Sequence, residues 1–273
     1  MLEVSTHGEI TRIWMARSFG GRSLHSVSAY LLGDTLIDSG CPATADELVD
    51  WCRRRGVRRV VHTHHHEDHT GGDAALVARL GLEIWAPAAT APILASFYRL
   101  PWYRRLVWGQ PQSVAARPFG EVVRIGGASF QAIPTPGHAA DHHCLFDAER
   151  RWLFSGDLFI SSRVTHVRRS EDAATILSSL RLLLRLDPEL VVCSHAGFVP
   201  DARAAIERRI AFWEELAGRA ASLAAAGCSP RAIRRRLLGS EGAMMLLSCG
   251  DFSKTNLIRS LLGMAQGGAR ALV

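Results

Sequence analysis

The spacing of hydrophobic positions changes period several times along the chain, and each change marks an element. Residues 9 to 18 and 26 to 38 are rich in β-branched and apolar side chains and read as strands. Gly33-Asp34, between AYLL and TLID, reads as a hairpin turn. Asp38-Ser39-Gly40 ends that second strand. ATADELVDWCRRR, residues 43 to 55, follows with apolar positions at helical spacing and a start near Ala43 or Thr44. The β-branched run VRRVVH then leads into a histidine-dense loop. A helix is expected over about 72 to 80, and LEIWA at 82 to 86 completes a strand-helix-strand rhythm. From 121 the pattern is β again, in EVVRI, ASFQAI, HHCLFD and RWLFS. Residues 172 to 186 form an amphipathic helix, Pro188 introduces the strand ELVVCS, and 200 to 270 is mostly helical with breaks at 227 to 230 and 239 to 242. Strands give way to helices in both halves, which suggests two sheets packed face to face with helices outside.

Residues 87 to 120 interrupt this order. Pro87, Pro92, Pro101, Pro111 and Pro118 alternate with Phe97, Tyr98, Trp102, Tyr103 and Trp108, and proline at that density argues against long regular elements. Two readings stand. One is an irregular connection packing its aromatics on the core; the other is a lid or substrate-binding insert beside a site.

Composition adds bounds. A chain of 273 residues with 48% hydrophobic and 21% charged positions can bury a sizeable core and is ordinary for a soluble protein. The N-terminus shows no apolar signal region and no run nears membrane-spanning length, so neither secretion nor membrane insertion is expected. The six cysteines are scattered with no C-x-x-C pair, which points to free thiols in a reducing cytoplasm and away from cysteine as a metal ligand. The net charge is +6, with Lys254 the single lysine. That balance permits phosphate-rich partners without demanding them. The short arginine clusters carry no interleaved aromatics, so solvated helix faces are favoured over a nucleic-acid track.

The chemistry concentrates in VRRVVHTHHHEDHTGG, residues 57 to 72. Five histidines and two acids in eight residues are poor packing material unless a cation holds them together. Mixed imidazole and carboxylate suits zinc and its first-row neighbours; an all-oxygen set would suit calcium or magnesium. An H-x-H-x-D-H match arises by chance in roughly one chain in a thousand at this histidine content. The bland alternative is a polar loop that picks up metal incidentally. Three further candidates each follow an apolar β-like run: His138 in IPTPGHAADHH, Asp157 in WLFSGDLF and His195 in VVCSHAGF. Singly, each could be a turn or cap residue. In chain order after the histidine loop they form a constellation.

That constellation resembles the metallo-β-lactamase superfamily, through Asp38-Ser39-Gly40, THHHEDHTGG, TPGHAADHH, FSGDLF and SHAGF. The resemblance implies an α/β fold, a four-layer αββα sandwich with a helical C-terminal extension. It implies a catalytic domain over 1–200, with 87–120 a lid or insert, and a helical region over 201–273 capping the site. It also implies two zinc ions per chain, one on His64, His66 and His138 and one on Asp68, His69 and His195, with Asp157 bridging. Asp38 would orient the loop by hydrogen bonding. His62, His65, Glu67, His142, His143 and His166 are not assigned as ligands. Phe252, Lys254 and Asn256 are read as helix-packing residues, with substrate contact the alternative.

The chemistry implied is attack by a zinc-held hydroxide on an ester, thioester or lactone of a small molecule, with Asp68 orienting the hydroxide or shuttling its proton. The bridging aspartate resembles the hydroxyacylglutathione-hydrolase, lactonase and RNase-like branches more than the true class B β-lactamases. Alternatives on the same scaffold are a phosphodiesterase or endoribonuclease and a sulfur dioxygenase with one Fe2+ on His64, His138 and Asp157. A metal-stabilised binding protein without turnover is the non-enzymatic alternative. Substrate and oligomeric state are not readable.

Overall fold

The computed structural model describes residues 1–19 and 22–270. These fall into two compact units. The first comprises Met1–Pro134, Asp141–Asp157 and Glu189–Pro200. It contains two sheets. Seven strands form one of them in sequence order: β1 (Leu2–His7), β2 (Ile10–Phe19), β3 (Arg22–Leu32), β4 (Thr35–Ile37), β5 (Arg59–Val61), β6 (Glu83–Pro87) and β7 (Arg117–Phe119). The first four are antiparallel, and Leu32 pairs with Thr35 across the expected Gly33-Asp34 turn. From β4 to β7 the pairing is parallel. Parallel neighbours need crossovers, usually helical. These are α1 (Ala45–Arg55) and, between β5 and β6, α2 (Glu67–Thr70) with α3 (Asp73–Leu80).

Alternation along the strands divides the core. Leu36 and Val60 join a cluster with Ile13, Met15, Leu48, Val49 and Trp51, which places α1 on one face of the sheet. Their chain neighbours Ile37 and Val61 join the opposite cluster, with Tyr30, Phe130, Leu145, Phe154 and Val192. The period of two in a strand produces this split. The second sheet runs β14 (Gly197–Pro200), β13 (Leu190–Cys193), β11 (Trp152–Gly156), β10 (His143–Asp147), β9 (Ala128–Pro134) and β8 (Val122–Ile125).

The stretch 87 to 120 holds two short helices, α4 (Ala91–Ala95) and α5 (Trp102–Val107), and then β7. Pro118 is accommodated because β7 is an edge strand, where a missing N–H costs no ladder bond. Strands β1, β7 and β14 were not expected from the pattern. Five of the six residues of β1 are exposed, so it has no buried face to write into the sequence.

The second unit comprises Thr135–Ala140, Leu158–Pro188 and the chain from Asp201 onward. It holds α6 (Ala173–Leu184), α7 (Ala202–Ala225), α8 (Pro230–Leu238), α9 (Ala243–Leu247) and α10 (Lys254–Arg270). A two-stranded ribbon pairs β12 (Val167–Arg168) with β15 (Phe252–Ser253). Asp172 caps α6 by accepting from Thr175 N at 2.8 Å, and Ser229 caps α8, the side-chain acceptor role that helix starts require. Trp213 is fully buried on α7, donates from Nε1 to Val164 O at 2.8 Å and carries the Arg209 guanidinium 3.7 Å above its ring. Lys254 Nζ donates to the carbonyls of Leu238 and Ser240 at 2.9 and 2.8 Å, and Asn256 Nδ2 donates to Asp251 O at 2.7 Å. Both serve the packing of the helical region. Among the described residues no helix is long and apolar enough to cross a membrane.

Truncating Trp213 to alanine should cost about 3–5 kcal/mol, the range for a fully buried large aromatic. Urea unfolding checks this; a loss under about 1 kcal/mol would show that α7 is not anchored by this residue.

Candidate metal centre

Three strand ends of the first unit deliver the polar cluster. β5 stops at Val61 and the chain turns through His62–His66 into the single turn of α2, which carries Asp68 and His69. Asp157 follows β11 directly, and His195 sits between β13 and β14. Because β5, β11 and β13 end on the same side, residues far apart in sequence meet there. The potential ligand atoms of Asp68, His69, Asp157 and His195 all lie within 4.8 Å of one another, as do those of His64, His66 and Asp157.

Proton placement shows what this cluster accepts. His69 Nδ1 lies 2.7 Å from Asp38 Oδ2, so a neutral ring donates there and presents the Nε2 lone pair inward. That nitrogen is 3.2 Å from Asp157 Oδ1 and 4.0 Å from Asp68 Oδ2. His195 repeats the arrangement: Nδ1 donates to Ser26 O at 2.8 Å, and Nε2 is 3.3 Å from Asp157 Oδ1 and 3.9 Å from Asp68 Oδ2. Asp68 Oδ1 and His69 Nε2 are buried and have no hydrogen-bond partner among the described residues. Lone pairs facing lone pairs at these distances are unfavourable unless a cation lies among them or the rings are protonated. Without an ion, burial works against charge on His69 and His195, but the carboxylates around them, Asp157 with Asp38 at His69 and Asp157 with Asp68 at His195, together raise both above the ordinary histidine value.

His64 Nε2 and His66 Nδ1 face each other at 2.9 Å. Two Zn–N bonds of about 2.0–2.1 Å at a tetrahedral angle separate their nitrogens by about 3.3 Å, so this pair needs little adjustment to share an ion. The residues present therefore fit a metal.

The loop is held by buried polar contacts. Asp38, left-handed at φ 56°, accepts from Thr63 N and Thr63 Oγ1, both at 2.9 Å, as well as from His69. His62 lies beneath the loop, fully buried, with Nε2 2.8 Å from Asp73 Oδ2 and Nδ1 3.4 Å from Asp38 Oδ1. Burial opposes charge on His62, yet Asp73 and Asp38 raise it to about 9. Ser39 Oγ ties Asp73 at 2.7 Å.

His65 and Glu67 point to other partners. His65 Nδ1 is 2.7 Å from Asp141 Oδ1, and the fully buried Glu67 takes a two-pronged ion pair from Arg104 on α5. Tyr98 also donates to His65 O at 3.0 Å, so residues of the 87–120 stretch brace the loop directly. His142 Nε2 accepts from Asp157 N at 3.1 Å, a contact allowed because position 156 is glycine: a Cβ there would sit 2.6 Å from that nitrogen. His138 belongs to the second unit, on the Thr135–Ala140 turn, with its Nδ1 hydrogen-bonded to Glu171.

Asp73, Asp141 and Glu171 were missed from sequence. Asp73 and Glu171 read as ordinary acids at helix starts, and Asp141 as a turn residue. Only Asp141, inside HAADHH, lies in a stretch that carries a candidate ligand.

A two-sheet α/β unit with imidazoles and carboxylates gathered at its strand ends is a class of metal-binding scaffold. Residues 22–195 match the Metallo-beta-lactamase superfamily, and the chain belongs to that family. It is 33% identical over 158 residues to the hydroxyacylglutathione hydrolase of Rhodospirillum rubrum, covering 58% of this chain and 54% of that protein. To the thioesterase pkgB of Emericella nidulans it is 30% identical over 199 residues, covering 70% and 52%. The chain thus spans about half the length of the curated relatives it matches. A beta-lactamase domain protein from Burkholderia ambifaria superposes with a TM-score of 0.72 over 96% of this chain and 88% of that one, at 20% identity. A metallo-beta-lactamase family protein from Thermus thermophilus gives 0.64 over 96% and 95%, at 18% identity. The fold is the α/β metallo-beta-lactamase fold, with C-terminal helices.

Burial alone would raise the Asp38 carboxyl, but His69 and His62 hold it well below the usual carboxylate range. A depressed folded value means a stabilising contribution that is full above the ordinary carboxylate pKa and is lost as pH falls through the folded one. Asp38→Asn should therefore cost about 3–5 kcal/mol at neutral pH, because it strands buried imidazoles. It should also flatten the loss of stability below about pH 4. Urea titrations of metal-stripped protein across that range test this, and equal acid slopes in the two proteins would refute it.

Proposed function

We propose that this chain is a metallo-hydrolase that holds two zinc ions and cleaves an ester, thioester or lactone bond of a small molecule. In this reading His64, His66 and His138 hold one ion, Asp68, His69 and His195 the other, and Asp157 is shared. The observation that carries it is the convergence of His69 Nε2 and His195 Nε2 on Asp157 Oδ1, at 3.2 and 3.3 Å, beside an Asp68 oxygen with no hydrogen-bond partner among the described residues. Imidazole with carboxylate is a donor set suited to zinc. When bound, such a pair supplies Lewis acidity and lowers the pKa of water from about 15.7 to about 7.

The chain's own groups then orient and exchange protons. Asp38 and the Ser26 carbonyl keep protons on Nδ1 of His69 and His195, so that each Nε2 faces inward. Asp68 Oδ1 is the group placed to accept a proton beside the reacting centre. A thiol nucleophile is disfavoured. Burial pushes Cys193 up to about 11 and Cys52 up to about 12, and Cys193 Sγ accepts from the backbone N–H of Ala196 at 3.2 Å.

The names of the relatives, a hydroxyacylglutathione hydrolase and a thioesterase, support a carbonyl substrate over a phosphodiester. Several arginines are already used in local pairs, such as Arg79 with Asp46 and Arg181 with Glu214, which supports a small-molecule partner over nucleic acid. The six cysteines, four of them buried and none in a disulfide among the described residues, support a reducing cytoplasm.

Elemental analysis of the purified protein is the test. About two zinc ions per chain are expected, followed by turnover of a thioester, ester or lactone in a panel that includes phosphodiesters. Asp157→Asn should lower metal content and activity together, while His143→Ala leaves the metals in place. One iron per chain would move the assignment to a sulfur dioxygenase, and two retained zincs in Asp157→Asn would remove its shared role.

A further inference from the structure

Glu171 lies outside every motif of the sequence, one residue before the cap of α6. Its side chain is 9% exposed and spends both oxygens on defined donors. Oε1 accepts from His138 Nδ1, and Oε2 accepts from the backbone N–H of Arg168 at 2.8 Å. The His138 turn is fastened to the same helix, α6, and its cap by three more contacts. Asp172 N donates to Gly137 O at 3.0 Å, and Ser179 Oγ donates to Pro136 O at 2.8 Å. Gly137, at φ 124°, lies so close to α6 that a Cβ would sit 2.6 Å from Ile176 N. The Thr135–Ala140 turn thus groups with α6, although it emerges from β9.

We propose that Glu171 is a positioning residue for His138: by accepting the Nδ1 proton it selects the tautomer and ring orientation in which Nε2 is the metal-directed nitrogen. The inference rests on the reading of His138 as a ligand. Two features of the site favour this role over simple packing. A buried carboxylate carries a solvation penalty that a neutral acceptor would avoid, so its presence calls for a partner that gains from a charged acceptor. An imidazole bound to a metal is such a partner, because coordination makes its remaining N–H a stronger donor. The other supports of the turn, at Gly137 O and Pro136 O, hold its backbone, whereas Glu171 reaches the ring itself.

Zinc affinities of the full-length protein, measured by competition against a chromophoric chelator, test this in wild type, Glu171→Gln, His138→Ala and the double variant. Glutamine keeps the volume and an acceptor oxygen but removes the charge. His138→Ala is expected to weaken one zinc. Glu171→Gln should weaken the same zinc about 10–100-fold, with no further loss when His138 is already absent. Nitrogen-15 NMR of zinc-loaded wild type should show the His138 ring protonated at Nδ1, a signature that a purely structural carboxylate would not set and that needs no variant to fold. Unchanged affinities in His138→Ala would remove the ligand reading, and this inference with it. A weakened His138→Ala beside an unaffected Glu171→Gln, or full additivity in the double variant, would overturn the positioning role alone, and a proton on Nε2 would overturn it together with Nε2 as the metal-directed nitrogen.

Discussion

A single buried carboxylate organises the first unit's polar interior. Asp38 sits at the end of β4 in a left-handed conformation that a non-glycine residue adopts only at a cost of roughly 1–3 kcal/mol. It offsets that cost by accepting from a backbone N–H, a hydroxyl and an imidazole, with a second imidazole 3.4 Å away. Without it, the fully buried His62 and His69 would each lose a carboxylate oxygen beside Nδ1. The parallel pairing of β4 with β5 places Asp38 beside Thr63, so the ladder register and the loop's polar contacts are one constraint seen twice.

The same loop is gripped from its other side. Arg104, Tyr98 and Thr90, all from the proline-rich stretch, engage Glu67, the His65 carbonyl and Asp141. Charge-assisted, two-pronged contacts of this type are among the stronger hydrogen bonds a protein makes. The irregular backbone there follows from the task, because short helices separated by prolines let single side chains reach in from several directions.

Much of this was legible in the chain itself. The strand-helix rhythm up to residue 86 and the helical tail with its breaks near 227–230 and 239–242 were readable because buried apolar faces impose a period, whereas the third break, between α9 and α10, was not. The histidine loop was readable because five imidazoles at a strand exit have no packing use, and Asp157 and His195 because they too follow apolar strands. The unreadable parts share a different cause. β1 is almost wholly exposed and writes no pattern, and β7 is three residues in a proline-rich stretch. Asp73 and Glu171 stand at helix starts, where acids are common for dipole reasons alone, so nothing local separates a partner of histidine from an ordinary first-turn acid.

The spread of partners along the chain also sets an order of assembly. His195 is held by the carbonyl of Ser26, 169 residues earlier, whereas His64 to His69 lie within one loop next to β5. At a synthesis rate of about 5–20 residues per second, roughly 6–25 s separate the appearance of His69 from that of His195. During that interval the nascent chain displays a histidine-rich loop whose later neighbours Asp157 and His195 do not yet exist. The sequence for the bracing contacts of Arg104 and Tyr98 emerges within the first third of that wait, before β14, the last strand of the second sheet.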